Sequence, residues 1–72
     1  MTDSVYKVIE LVGTSTESFE RAIAAAVETA SKSLRDLRVA EVVQLDVTIE
    51  DGKVQNYRAK VKLSFKYDSG AM

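Results

Sequence analysis

The sequence contains no cysteine, no histidine, no proline and no tryptophan among its 72 residues. Without cysteine there are no disulfides and no thiolate metal sites. Without histidine there is no Ser-His-Asp triad, no imidazole-ligated zinc and no imidazole switch near neutral pH. Long apolar runs are missing as well, and no window approaches the ~18 residues of a membrane span. Met1 to Ser4 is polar and acidic, and Lys7 and Glu10 interrupt the first apolar stretch, which is not the form of a secretory signal. The expectation is a cytoplasmic protein with no membrane partner. An excess of one charge is also absent: 10 basic and 11 acidic residues leave a formal net charge of -1. That balance gives little general attraction to nucleic acid, and no nucleic-acid partner is expected.

What remains fits one domain over residues 1–72, with its core in 5–67. A chain this short buries roughly 60% of the surface that its unfolded form exposes. With neither staple nor metal cage, self-association is the expected source of further stability.

Four segments differ in period. Val5 to Val12 is rich in β-branched residues and reads as a strand. Gly13-Thr14-Ser15-Thr16 reads as a breaker with N-caps at Thr14, spaced three residues from Glu17, or at Ser15. From Thr16 to about Leu37, Phe19, Ala22, Ile23, Ala26, Val27, Ala30, Leu34 and Leu37 recur at helical spacing. Glu17 with Arg21, and Glu28 with Lys32, are i,i+4 pairs in the favourable order. Val39 to Ile49 and Val54 to Tyr67 alternate as two long strands. Their odd rows, Val39 to Ile49 and Tyr57 to Tyr67, are mostly apolar, although Glu41 interrupts the first.

The faces of these two strands argue for a three-residue loop, Glu50-Asp51-Gly52, with Gly52 left-handed in a G1 bulge and Ile49 opposite Lys53. The resulting register sets Leu45 against Tyr57, Val43 against Ala59 and Gln44 against Arg58. The fold class is α+β: a β-α-β-β chain whose three-stranded antiparallel sheet, order 1-3-2, is partly wrapped around one helix. Val39, Leu63, Phe65 and Tyr67 lie beyond the reach of that helix, and both outer strands have open edges. These features predict subunit contact.

No catalytic set emerges, so the protein is not expected to be an enzyme. Paired carboxylates such as Asp46 and Glu50 read as solvated side chains without a cleft. Gly13-Thr14-Ser15 reads as ordinary capping rather than an anion site. Arg58, Lys60, Lys62 and Lys66 form a basic row, read as a solvated strand face opposite Gln44, Asp46 and Glu50. A carboxylate metal site would suit calcium or magnesium, with Asp46, Glu41 and Asp51 gathered from several copies around a symmetry axis.

Order, spacing and length together resemble the dodecin family. The likeness lies in Val5 to Ser15, Ser33-Leu34-Arg35-Asp36-Leu37-Arg38, Ala40-Glu41-Val42, Glu50-Asp51-Gly52-Lys53 and the closing Tyr57 to Phe65. The resemblance implies a homododecameric hollow shell that binds or stores a small ligand, in many members flavin. Val39, Arg58 and Gln44 are the positions near that flavin pocket. The family's stacking tryptophan is replaced by Val39, and its ring-edge glutamine by Arg58. Valine lacks an aromatic face, and arginine donates hydrogen bonds without accepting them. Arg38-Val39-Ala40 is similar to a branch without the tryptophan, which implies calcium as ligand. FMN or riboflavin in an altered pocket is the alternative, as is an anionic ligand on Arg58 and Lys60.

Overall fold

Alternating β-branched residues, one alanine-rich segment and a single Asp-Gly turn divide the chain into four elements. In a computed structural model, which describes residues 3–67, these are β1 (Tyr6–Ser15), α1 (Phe19–Ser31), β2 (Leu37–Glu50) and β3 (Lys53–Lys66). The sheet is antiparallel with β3 central, in the order β1-β3-β2. The expected class and strand order are therefore observed. The single-domain reading extends over residues 1–2 and 68–72, which lie outside the described residues.

The helix packs through its smallest side chains. Ala22, Ala26 and Ala30 recur every four residues and are buried against Ala59, Val61 and Leu63 of β3. Burying Val61 and Leu63 contributes about 1.5–3 kcal/mol each. Gly13 is no breaker. It lies inside β1 opposite Ala59, and a Cβ there would run into the Ala22 carbonyl and lie 3.1 Å from the Ala26 Cβ. Close approach of helix and strand thus extends β1 beyond Val12. The N-cap is Ser18, whose hydroxyl accepts from the Arg21 amide at 3.0 Å. Ser15 instead accepts from the Glu17 amide at 2.9 Å, tightening the turn before the helix. Phe19 meets Tyr57 edge to face at 5.1 Å, a contact worth about 0.5–1.5 kcal/mol beyond its area.

The helix is shorter than its apolar period suggests. It ends at Ser31, with the Ser33 and Leu34 amides both donating to the Ala30 carbonyl. Ser31 donates to the Glu28 carbonyl, a local bond of the kind that competes with helix. Asp36 turns the chain with φ of 60°, and Leu34 and Leu37 reach the core from outside the helix. Glu17 and Arg21 pair at 3.6 Å on the surface, whereas Glu28 and Lys32 form no ion pair among the described residues.

The hairpin differs from expectation. Glu50 pairs with Lys53 around a two-residue turn, with φ of 54° at Asp51 and 75° at Gly52. Both values have the sign required by a type I′ turn. The extra residue needed to keep apolar rows together lies one step further in: Ile49 pairs with Val54 and Thr48 with Asn56, leaving Gln55 unmatched. Consequently Leu45 faces Ala59, Val47 faces Tyr57, Asp46 faces Arg58 and Gln44 faces Lys60. A second shift, around Val43, moves Val42 opposite Val61 and Glu41 opposite Lys62. The odd row of β2 is therefore split between the two faces, and Glu41 joins the polar one. Leu63 is buried rather than beyond reach of the helix, and Phe65 is half-buried, while Val39 and Tyr67 are exposed.

The molecule is long for its size. Its radius of gyration is 15.0 Å, with extents of 54 × 20 × 14 Å. A compact domain of this length would have about 11 Å.

Candidate ligand face

The sheet face away from the helix gathers most of the sequence-derived candidates. Central β3 presents Arg58, Lys60 and Lys62 there. Thr14, Val12 and Glu10 flank them on β1, and Asp46, Gln44 and Glu41 on β2. Lys62 lies between two carboxylate-bearing positions, Glu10 and Glu41. Lys60 has Val12 and Gln44 across from it, and Arg58 has Thr14 and Asp46.

Only one of these cross-strand acid–base positions closes into contact among the described residues. Arg58 Nε donates to Asp46 Oδ1 at 2.7 Å, and Nη2 donates to Oδ2 at 3.3 Å. Both side chains keep about two-fifths of their exposure, 43% for Arg58 and 38% for Asp46. The guanidinium hydrogen bonds hold the Asp46 carboxyl below its ordinary value, with a smaller contribution from the Lys60 charge. The same contact raises the Arg58 pKa. A two-point fork of this kind fixes orientation as well as charge.

Arg58, Asp46 and Gln44 are thus neighbours, Gln44 being diagonal to Arg58 across the β2–β3 ladder. Val39 is not among them. It pairs with Ser64, six positions along β3 from Arg58, a strand distance of roughly 20 Å. Val39 lines an open hollow of about 150 Å³ with Val27, Leu37, Arg38, Ala40 and Leu63. Glu41 is five positions from Asp46, roughly 15 Å along the strand, and Asp51 is exposed at the hairpin tip. No three carboxylates come together among the described residues. A calcium ion takes six to eight oxygens. The chain offers hard oxygen donors of the right type, but the described residues of one chain do not collect enough of them in one place.

The Asp46–Arg58 pair does not follow from the sequence, although each residue is a candidate separately. The expected register placed them two positions apart. The signal that could join them is the need for one extra residue near the turn, which the alternation of faces places equally well in the loop or at Gln55. Neither residue type announces a bulge.

The family model for dodecin matches residues 5–68. This chain belongs to the dodecin family. It is 46% identical over 63 residues to the calcium dodecin of Mycobacterium tuberculosis, covering 88% of this chain and 89% of that protein. It is 42% identical over 64 residues to the dodecin of Thermus thermophilus, covering 89% and 93%. Among solved structures, the dodecin from Streptomyces coelicolor superposes with a TM-score of 0.88 at 40% identity, over 93% of this chain and 96% of that one. The M. tuberculosis calcium dodecin, described as a calcium-chelating antigen with a novel calcium-binding site, superposes with a TM-score of 0.80 at 44% identity, over 96% and 99%. The elongated β-α-β-β subunit is therefore the dodecin fold, and no described helix is long and apolar enough to cross a membrane.

Proposed function

We propose that this dodecin is a non-catalytic binding and storage protein, working as a hollow homododecamer in the cytoplasm, with calcium rather than a stacked flavin as its ligand. The assembly reading rests on one observation: Val42 and Leu45 of β2 stay exposed on the same side of the sheet where β3 is sealed by the helix. An extended subunit with an unsealed apolar strand gains its missing burial from other copies.

The ligand reading is supported by residue chemistry. Val39 and Arg58 stand where the resemblance calls for a ring-stacking tryptophan and a ring-edge glutamine. Hard carboxylate oxygens are present, and the relative at 46% identity is a calcium dodecin. Because Glu41, Asp46 and Asp51 are spread along one subunit, the site is assembled from carboxylates of several copies around a symmetry axis. Calcium would neutralise charge and bridge subunits there. The second reading is a flavin dodecin with a rebuilt pocket around Val39, Arg58 and Gln44, binding FMN or riboflavin. In its favour, the exposed rings of Tyr6 and Tyr67 line an open hollow of about 280 Å³ with Val5 and Lys7.

Two titrations of the assembled protein separate these readings. Calcium calorimetry gives a saturable heat at up to millimolar ion, and riboflavin retains its fluorescence. Silent calorimetry together with stoichiometric riboflavin quenching would replace the first reading by the second.

A further inference from the structure

Two bulges in the β2–β3 ladder cancel. Gln55 is unmatched on β3, between Val54 and Asn56, and Val43 is unmatched on β2, between Val42 and Gln44. Between them, five pairs from Gln44–Lys60 to Thr48–Asn56 run one residue out of step with the ladder on either side. Moving this block back by one residue would remove both bulges and leave Ile49–Val54 and Val42–Val61 as they are. Thr48 would then face Gln55, Asp46 would face Tyr57 and Leu45 would face Arg58. A bulge disrupts ladder bonding locally, so the main chain favours the uninterrupted ladder and side chains select the offset one. The strand free to move is β2, which lies at the sheet edge. Central β3 is held by β1 and by the contact of Phe19 with Tyr57.

We infer that residues 44–48 form a two-register segment, and that Thr48 is the positioning residue that pins it where Asp46 meets Arg58. The inference involves no ligand. Thr48 stands at the bulge itself, where its half-buried hydroxyl oxygen accepts from the Asn56 amide at 3.0 Å. Two pairs further on, Arg58 holds both oxygens of Asp46 at 2.7 and 3.3 Å. A one-residue slip turns every side chain of the slipped segment to the opposite face, so it breaks both contacts together. Apolar matching holds the offset less firmly, because Leu45 stays 47% exposed opposite Ala59. The exposed ion pair is also a weak hold by itself, which leaves the Thr48 bond as the contact that fixes the extra residue at Gln55.

The test is amide hydrogen exchange at single-residue resolution on the full chain, for wild type, T48V and T48S, with a crystal structure of the D46N/T48V double variant. Valine keeps the branched shape of threonine and removes the acceptor. In T48V the amides of residues 44–48 and 56–60 are expected to exchange about fivefold to tenfold faster, the loss of one hydrogen bond. T48S keeps the hydroxyl and is expected to exchange as wild type does, which a purely packing role for the threonine methyl would not produce. With both polar contacts removed, the double variant is expected to show the uninterrupted ladder, residue 48 opposite Gln55. Exchange in T48V equal to wild type, or in T48S equal to a faster T48V, overturns the pin. A double variant that keeps both bulges overturns the second register. Should the valine variants fail to fold, wild type and T48S decide: an Asn56 amide that exchanges at the rate of an unprotected one in either protein overturns the inference.

Discussion

The helix-facing side of the sheet is closed over one half and open over the other. Over β3, Ala59, Val61 and Leu63 are 0%, 0% and 1% exposed. Directly across the ladder on β2, Leu45 and Val42 are 47% and 42% exposed, although they face the same way. The two rows are equally apolar, so hydrophobicity alone does not account for the difference. It comes from helix length and placement: 13 residues, packed through small side chains onto Gly13 of β1 and Ala59 of β3, leave Val42 and Leu45 of β2 uncovered. Close approach on one side is obtained by leaving the other bare. The closed half carries the chain's own stability, and the open half is the surface to which the proposed assembly assigns a second copy.

A substitution in the closed half should have the largest effect. Gly13→Val places a branched side chain into the Ala22 carbonyl and the Ala26 methyl. The expected cost is about 3 kcal/mol or more, enough to abolish the folded signal in circular dichroism. The contrast would be lost if G13V were as stable as wild type.

A charge in the open half should act on assembly instead. Leu45→Asp is expected to keep the subunit's secondary structure while the particle mass drops to that of smaller species. Loss of secondary structure, or an unchanged particle, would show that Leu45 does not act at an interface.

The ligand face offers a gain rather than a loss. The double substitution V39W with R58Q supplies an aromatic face and an amide that both donates and accepts. Stoichiometric riboflavin quenching is expected in this variant and not in wild type. Equal quenching by both would mean that a different ring already serves the pocket.

The smallest effect concerns acid. The Asp46 carboxyl is held below its ordinary value of 3.8 by Arg58. A depressed folded-state pKa stabilises the fold above the unfolded value and loses that contribution as pH falls through the folded one. The stability difference between wild type and D46N should therefore be constant above about pH 5 and fade towards zero in stronger acid. A difference that grew on acidification would contradict the ion pair.

Element type and strand order were legible because period and length decide them: β-branched runs, an unbroken alanine-rich segment and two strands around Asp51-Gly52 permit few arrangements. Boundaries were less legible. Gly13 reads as a breaker in one dimension and becomes a packing site only when the helix crosses it. Leu34 and Leu37 keep helical spacing after the helix has ended, since the core attracts apolar residues from loop and strand alike. The ligand face was half legible. Asp46, Arg58 and Gln44 each stand out in the sequence, but their adjacency depends on the bulge at Gln55. Such a shift is decided by fit between strands, not by the composition of either one. Val39 and Asp51 lie elsewhere on the chain, so a site uniting all the candidates requires more than one copy.

Both the proposed assembly and the proposed ligand site require the open half of the sheet to be an interface. The particle mass of the wild-type protein, measured by sedimentation or native mass spectrometry at micromolar concentration, tests this directly. A single species at twelve times the chain mass is expected. A monodisperse monomer would contradict the account, leaving Val42 and Leu45 exposed without purpose and the scattered carboxylates with no way to meet.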